Sequence, residues 1–414
     1  MAAMPSVPLT WAAPFAGLLL AIAVLPAAAP RFWEKNRNKA LVATLFAAPV
    51  AMYAAHAMPD ALRDAALEYA SFIVLLGSLF VISGGLFLDG DLRATPGVNA
   101  TFLGVGALLA NVVGTTGASM LLIRPLLRTN SQRKHVVHTV VFFIFVVCNT
   151  GGSLTAIGDP PLFVGYLRGV PFGWPVKHLW PAWLGVNAAL IVVYLIWDDA
   201  LVLRETHASL RDDRRHVVPL RLHGKVNLPL LAVVVASVVL LPAGWREAAM
   251  VALALVSLRA TPKDVHRRNG FAWAPIVEVA VLFAGIFVTM IPALAWLNEN
   301  AALLGVTSPR GFFWATGSLS SFLDNTPTYL AFLEVARGLG GPNEVAGTTH
   351  ATLEAIALGS VFMGANTYIG NGPNFMVRAI AESQGLKMPS FFGYMLWSVG
   401  ILVPLFFAAS LLLF

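Results

Sequence analysis

Cysteine is almost absent: Cys148 is the single one in 414 residues, which excludes an internal disulfide and any paired-cysteine redox or zinc site. Charge is scarce as well, at 12% of residues against 57% hydrophobic ones. No Walker-type glycine-rich loop occurs, so the chain carries no phosphate cradle for ATP. No HExxH occurs either; the spaced pair His135 and His138 stands beside Arg128, Arg133 and Lys134 and reads as the cytoplasmic rim of an apolar segment rather than a metal site. No nucleophile and base converge as a hydrolase requires, so neither an enzyme nor a cofactor is expected. The apolar spans offer no continuous polar lining for a passive channel. A net charge of +6 raises the question of nucleic acid, but the basic residues lie in short loops between apolar runs and form no single patch.

What the chain has in abundance is apolar sequence in runs that can cross about 30 Å of hydrocarbon at roughly 20 residues each. It reads as an all-α polytopic membrane protein whose first partner is the lipid bilayer. Ten spans are expected, at about 11–29, 40–57, 65–88, 136–168, 182–198, 226–243, 247–260, 275–296, 351–380 and 391–413. The first has no positive residue before it and Arg31, Lys35, Arg37 and Lys39 behind it. That is the reverse of a secretory signal, so it is expected to remain a span. Two further apolar segments, about 97–127 and 310–336, exceed one crossing and are interrupted by Asn111-Val-Val-Gly114-Thr115-Thr116-Gly117 and by Asp324-Asn325-Thr326-Pro327. Each reads as a re-entrant helical hairpin whose tip faces protein or a wet cavity, as irregular backbone at membrane depth must.

The distribution of positive charge tests this layout. With the amino terminus periplasmic, 21 of the 27 Lys and Arg residues fall on the cytoplasmic side, leaving Arg63, Arg168, Lys177, Arg246, Arg310 and Arg337 outside. Both termini then face the periplasm of a bacterial inner membrane. Each half has five crossings and one hairpin, an odd number of crossings, so the second half is expected upside down relative to the first. The inverted repeats are 1–203 and 226–414, joined by a charged, helix-compatible cytoplasmic linker at 204–225.

The repeat is visible in the letters. Thr155-Ala-Ile-Gly158-Asp159-Pro160-Pro161-Leu-Phe163 returns 212 positions later as Thr367-Tyr-Ile-Gly370-Asn371-Gly372-Pro373-Asn374-Phe375, and both copies interrupt long apolar runs. Paired broken helices place substrate and coupling ions near the bilayer midplane in transporters. Asp159 and Asp324 are the carboxylates that fall at that depth, where an ionisable group costs about 2.5 to 3.5 kcal/mol and marks an ion pathway. Sodium wants several oxygen ligands, and Asp159, Asp324, Asn325, Asn149, Thr155, Thr367 and Asn371 are expected to supply them. Asn111, Thr115, Thr116, Thr150, Ser153, Gly158, Thr326, Asn366, Gly370 and Asn374 are expected in support, the glycines through unwound carbonyls. The plainer alternatives are a helix N-cap for Asp159 and a tip turn for Asp324. Glu68 and Glu278 start matching spans and read as interfacial carboxylates.

With two hairpins, two broken helices and the stretch Asn149-Thr-Gly-Gly-Ser-Leu-Thr155-Ala-Ile-Gly-Asp159, nearly the whole chain resembles the ion transporter superfamily. Within it, the chain is similar to NhaD-type sodium/proton antiporters and the related CitMHS-like citrate transporters. The resemblance implies a homodimer whose scaffold holds a mobile transport domain of hairpins and broken helices, moving as an elevator. It also implies cation and proton handling by Asn149, Thr155, Asp159, Asp324 and Asn325. One departure stands out: those antiporters carry an Asp-Asn pair in both hairpins, whereas here Ala110-Asn111 stands where the second hairpin has Asp324-Asn325.

The leading expectation is a monovalent cation/proton antiporter with sodium as transported or coupling ion, because a midplane carboxylate binds either a cation or a proton. The alternatives are a sodium- or proton-coupled symporter for citrate or another carboxylate, and an arsenite exporter.

Overall fold

Backbone polar groups in a bilayer have no water to bond, so apolar runs close their hydrogen bonds within helices. The structure, a computed structural model, describes residues 7–414; residues 1–6, where the expected periplasmic start falls, lie outside the described residues. The first half begins with α1 (Ala13–Ala28), α2 (Pro30–Trp33), α3 (Asn36–Ala57), α4 (Pro59–Gly84) and the strand β1 (Phe87–Asp91). It continues with α5 (Pro96–Thr129), α6 (Val137–Val146), α7 (Pro160–Leu167) and α8 (Trp174–Val202). The linker forms α9 (His207–Arg215) and β2 (Val218–His223). The second half contains α10 (Asn227–Leu240), α11 (Trp245–Ala260), α12 (Lys263–Arg268), α13 (Ala274–Glu299), α14 (Pro309–Ser320), α15 (Asn325–Gly338), α16 (His350–Met363), α17 (Gly372–Ser383) and α18 (Phe391–Leu413).

Among the described residues eight helical stretches are long and apolar enough to cross a membrane. Seven of the ten expected spans are among them, 136–168 through Val137–Leu154, and the eighth stretch is α5, the first interrupted segment; 351–380 is not among them because it is split into α16 and α17. In addition, α10 and α11 have only 14 and 16 residues, short of one full crossing.

The helix α5 does not run straight. At Gly114 the backbone takes φ 77° and ψ 158°, a conformation open to glycine because it has no Cβ. Beyond it the chain doubles back: Asn99 and Asn130 exchange side-chain amide bonds at 2.9 and 2.8 Å. In an unbroken helix 31 residues would separate them by about 46 Å. The helices α14 and α15 pack as the matching pair around a short tip at 321–324.

The linker departs from expectation. Only α9 is helical; the rest forms β2, which pairs antiparallel with β1, Phe87 opposite His223 and Asp89 opposite Arg221. The expected span 65–88 therefore ends early, at Gly84, since its last residues enter this sheet. The linker also bonds the mouth of the first hairpin. Asp213 accepts from the Ala94 N–H at 3.0 Å, and Glu205 accepts from the N–H groups of Lys134 and His135 at 3.0 and 2.9 Å.

The core runs along α6, where every residue from Val140 to Cys148 is fully buried. At its foot, Arg133 and His138 are not at a solvated rim as expected. Both are buried on Asp198 of α8, Arg133 Nη2 at 2.5 Å and His138 Nε2 at 2.8 Å, with the Tyr194 hydroxyl donating at 3.0 Å. Against this body stand α4 and α13, joined by the Tyr69 hydroxyl on the Ala280 carbonyl at 2.9 Å and by stacked Phe72 and Phe283. Glu68 and Glu278 are both ion-paired, with Arg168 at 2.7 Å and Lys39 at 2.6 Å.

Candidate cation site

Each broken helix ends in a short tight turn, passes through an extended segment and restarts at a proline or glycine. Pro160 and Pro161 open α7, where their missing N–H groups cost nothing. The close approach explains the glycines. A Cβ on Gly158 would press on the Gly152 carbonyl oxygen and on Asn111 Oδ1, and one on Gly370 would press on the carbonyls of Gly364 and Ser320.

The two tips are fastened to the two breaks by matching bonds. In the first half, Thr155 donates its hydroxyl to the Asn111 carbonyl at 2.7 Å; in the second, Thr367 donates to the Ser321 carbonyl at 2.5 Å. The Asn111 amide reaches the Ala107 and Gly151 carbonyls at 2.8 and 2.7 Å, and the Ser321 hydroxyl reaches those of Gly317 and Met363 at 2.8 and 3.2 Å. Asn111 Oδ1 accepts from the Leu154 N–H, and Ser321 Oγ accepts from the Asn366 amide. Asn111 and Ser321 thus do the same work 210 residues apart. On that register Asp324-Asn325 matches Gly114-Thr115, so the expected pairing of Asp324 with Ala110 is corrected. The residue in the place of Asp324 is the glycine that turns the first tip.

Asp159 occupies the middle of the arrangement and is 1% exposed. It does not cap α7 with its side chain. Its Oδ1 accepts from the Thr115 hydroxyl at 2.9 Å and the Asn371 amide at 3.2 Å, and its Oδ2 from the Asn325 amide at 2.8 Å. One donor comes from its own half and two from the other. All three are neutral, and no lysine or arginine of the described residues is within ion-pair distance of this carboxylate. Around it, Asn149 donates to Asn374 Oδ1 at 2.7 Å, and the Asn374 amide reaches the Gly364 and Thr367 carbonyls at 2.9 Å each. This ties the two breaks together.

The other predicted residues divide by what they touch. Thr150 is spent on the Phe145 carbonyl and Asn187 Oδ1, and Ser153 on the Thr150 carbonyl. Thr116 lines a cavity of about 80 Å3 with Thr115, Gly114 and Gly158. Asp324 is half-buried and caps α15 through the Thr326 N–H at 3.1 Å, making no hydrogen bond to Asp159. Beside this tip, Thr326 Oγ1 and Asn366 Oδ1 are buried without a hydrogen-bond partner among the described residues.

Four holding residues were missed in the sequence. Trp183 of α8 donates to the Gly151 carbonyl at 2.8 Å, and Asn187 accepts from Thr150. At the second break Tyr394 of α18 donates to the Ala365 carbonyl at 2.8 Å and Ser398 to that of Asn366 at 2.7 Å. The signal that could have found the pair on α8 is Asn187, a buried amide inside the expected span 182–198.

A family model described as "Putative citrate transport" matches residues 4–414. No curated protein matches the chain.

Proposed function

The chain belongs to this family of membrane transporters, and from that premise we propose that it is a secondary active transporter exchanging a monovalent cation, sodium first, for protons. The observation that carries the reading is the Asp159 carboxylate, buried and bonded only to neutral donors. A lone charge at that depth is costly unless something neutralises it. A proton and a cation can each do so, and each excludes the other, which is the elementary step of exchange. Asn371, at the equivalent place, contributes a neutral amide and adds no second charge. Asp324, with the open oxygens of Thr326 and Asn366 nearby in the same half, supplies further hard ligands of the kind sodium needs.

The matching bonds at Asn111 and Ser321 support an inverted repeat in which tips and breaks form one transport body, with α3, α4, α10, α11 and α13 as scaffold. The body moves relative to the scaffold in an elevator-like step, and the scaffold joins two copies as a homodimer. A cation-coupled citrate symporter is the second reading, favoured by the family description. Against it, a tricarboxylate would be met by carboxylates, and the cavity at the first tip is lined by no cationic side chain. Sealed vesicles with an internal pH dye decide between them. Sodium alone is expected to move protons; a response to citrate and never to sodium alone would overturn the antiporter reading.

A further inference from the structure

Glu68 on α4 meets Arg168 at the end of α7 at 2.7 Å. The same guanidinium reaches Glu334 of α15 at 3.2 Å, and Glu334 is also held by Arg337 at 2.6 Å. Arg168 is thereby shared between a carboxylate on a scaffold helix and one on the body that carries the site. When Glu68 lets go, Arg168 keeps Glu334, so the guanidinium is not left as an unpaired charge, and the carboxylate that is released is 17% exposed and not fully buried, which lowers the cost of breaking the pair. The pair Arg133–Asp198 differs, since both side chains are fully buried and opening it would leave the Arg133 guanidinium without a counter-charge. One tie is built to hold and the other to release.

Its place along α4 gives it a direction. About 12 Å further on, Leu76, Leu79 and Phe80 form one wall of the cavity beneath the first tip, and Val279 of α13 forms another. The counterpart of Glu68 is Glu278, 210 residues on and beside that cavity. It is bound to Lys39 of α3, while Arg378 of α17 bonds Glu382 in its own helix. The ion pair between body and scaffold therefore lies at the end of α4 away from the cavity, beside the neutral bonds of Asn298 to Glu334 and of Tyr166 to the Val238 carbonyl, and among the described residues Glu278 makes no ion pair with the body.

We infer that Glu68 and Arg168 form a latch that holds the transport body against α4 in the position that leaves a cavity at the first tip, and that opens when the body moves to its other position. The inference rests on the two-body transport reading above. An interaction made in one state alone biases the population toward that state, so removing it favours the other position.

The test uses the full-length protein in sealed vesicles with Leu76→Cys as reporter and a membrane-impermeant maleimide as probe. Labelling of the bare reporter protein supplies the reference, and size exclusion confirms that each variant is folded. Glu68→Gln is expected to slow labelling roughly fivefold or more. Arg168→Gln, which leaves Glu334 with Arg337, is expected to slow it equally, and the double variant no further, because both remove one interaction. If labelling of the reference responds to sodium while both single variants track it, the latch is overturned and the transport reading stands. If labelling of the reference ignores sodium, lithium, potassium and citrate alike, the two-position reading fails and takes the latch with it.

Discussion

Asn371 donates its side-chain amide to Asp159 at 3.2 Å, so two positions that the sequence repeat makes equivalent, 212 residues apart, meet face to face. One is acidic and the other is not. Asp159→Asn removes the titratable group and is expected to abolish exchange or its pH dependence. Asn371→Ala removes one donor to a charged group and is expected to weaken apparent cation affinity about tenfold without moving the pH at which exchange sets in. Vesicle exchange measured across a pH series reads both, and a shifted pH onset in Asn371→Ala would contradict these roles.

Asp324 has a structural duty that can be kept while its charge is removed. Asparagine caps a helix as well as aspartate does, so Asp324→Asn should leave the melting temperature of the purified protein close to that of the parent. Sodium-driven proton movement is expected to be lost. Exchange at the parent rate would reduce Asp324 to a cap on α15.

The glycine at each break is a steric requirement. Gly158→Ala is expected to lower the melting temperature and remove exchange, because the new methyl group meets the Gly152 carbonyl; bond-angle and packing strain of this kind costs typically about 1 to 3 kcal/mol. Gly173→Ala is the control, since nothing lies within 4 Å of a Cβ there. Equal melting for the two variants would mean that the backbone at the break is looser than described.

The doubled-back course of α5 sets which loops share a side of the membrane. Arg93 and Lys134, which flank α5, are both exposed and should share a side, whereas Lys134 and the exposed Gly173 should face opposite ones. Single cysteines at these positions, probed with an impermeant thiol reagent from either side, check this. Labelling of Arg93→Cys and Lys134→Cys from opposite sides would remove the re-entrant hairpin. Arg133 is unsuited as a probe because it is buried on Asp198.

The breaks and their polar residues were legible because proline, glycine and a carboxylate inside apolar sequence have few uses other than the ones found. The convergence of Asp159, Asn325 and Asn371 follows from that. Register between the hairpins was not legible, since an asparagine in each tip invited the pairing of Ala110-Asn111 with Asp324-Asn325. Only the bonds from Thr155 and Thr367 to the tip carbonyls reveal that Asn111 corresponds to Ser321. Trp183 and Tyr394 escaped notice because their donors serve carbonyls far away in sequence, and β2 because a short charged strand forms only when its partner is beside it.

The linker's bonds to the first hairpin bear on how the chain is made. Ala94 leaves the ribosome 119 residues before its acceptor Asp213, and Lys134 precedes Glu205 by 71. The mouth of that hairpin is therefore left open during synthesis until the strap has emerged and β2 has paired with β1. A chain ending at 203 would lack Glu205, Asp213 and β2, and with them the acceptors for Ala94, Lys134 and His135. In the order of synthesis the linker completes the half before it, and the place where two separately made fragments could each arrive whole lies after Lys225, not before Arg204.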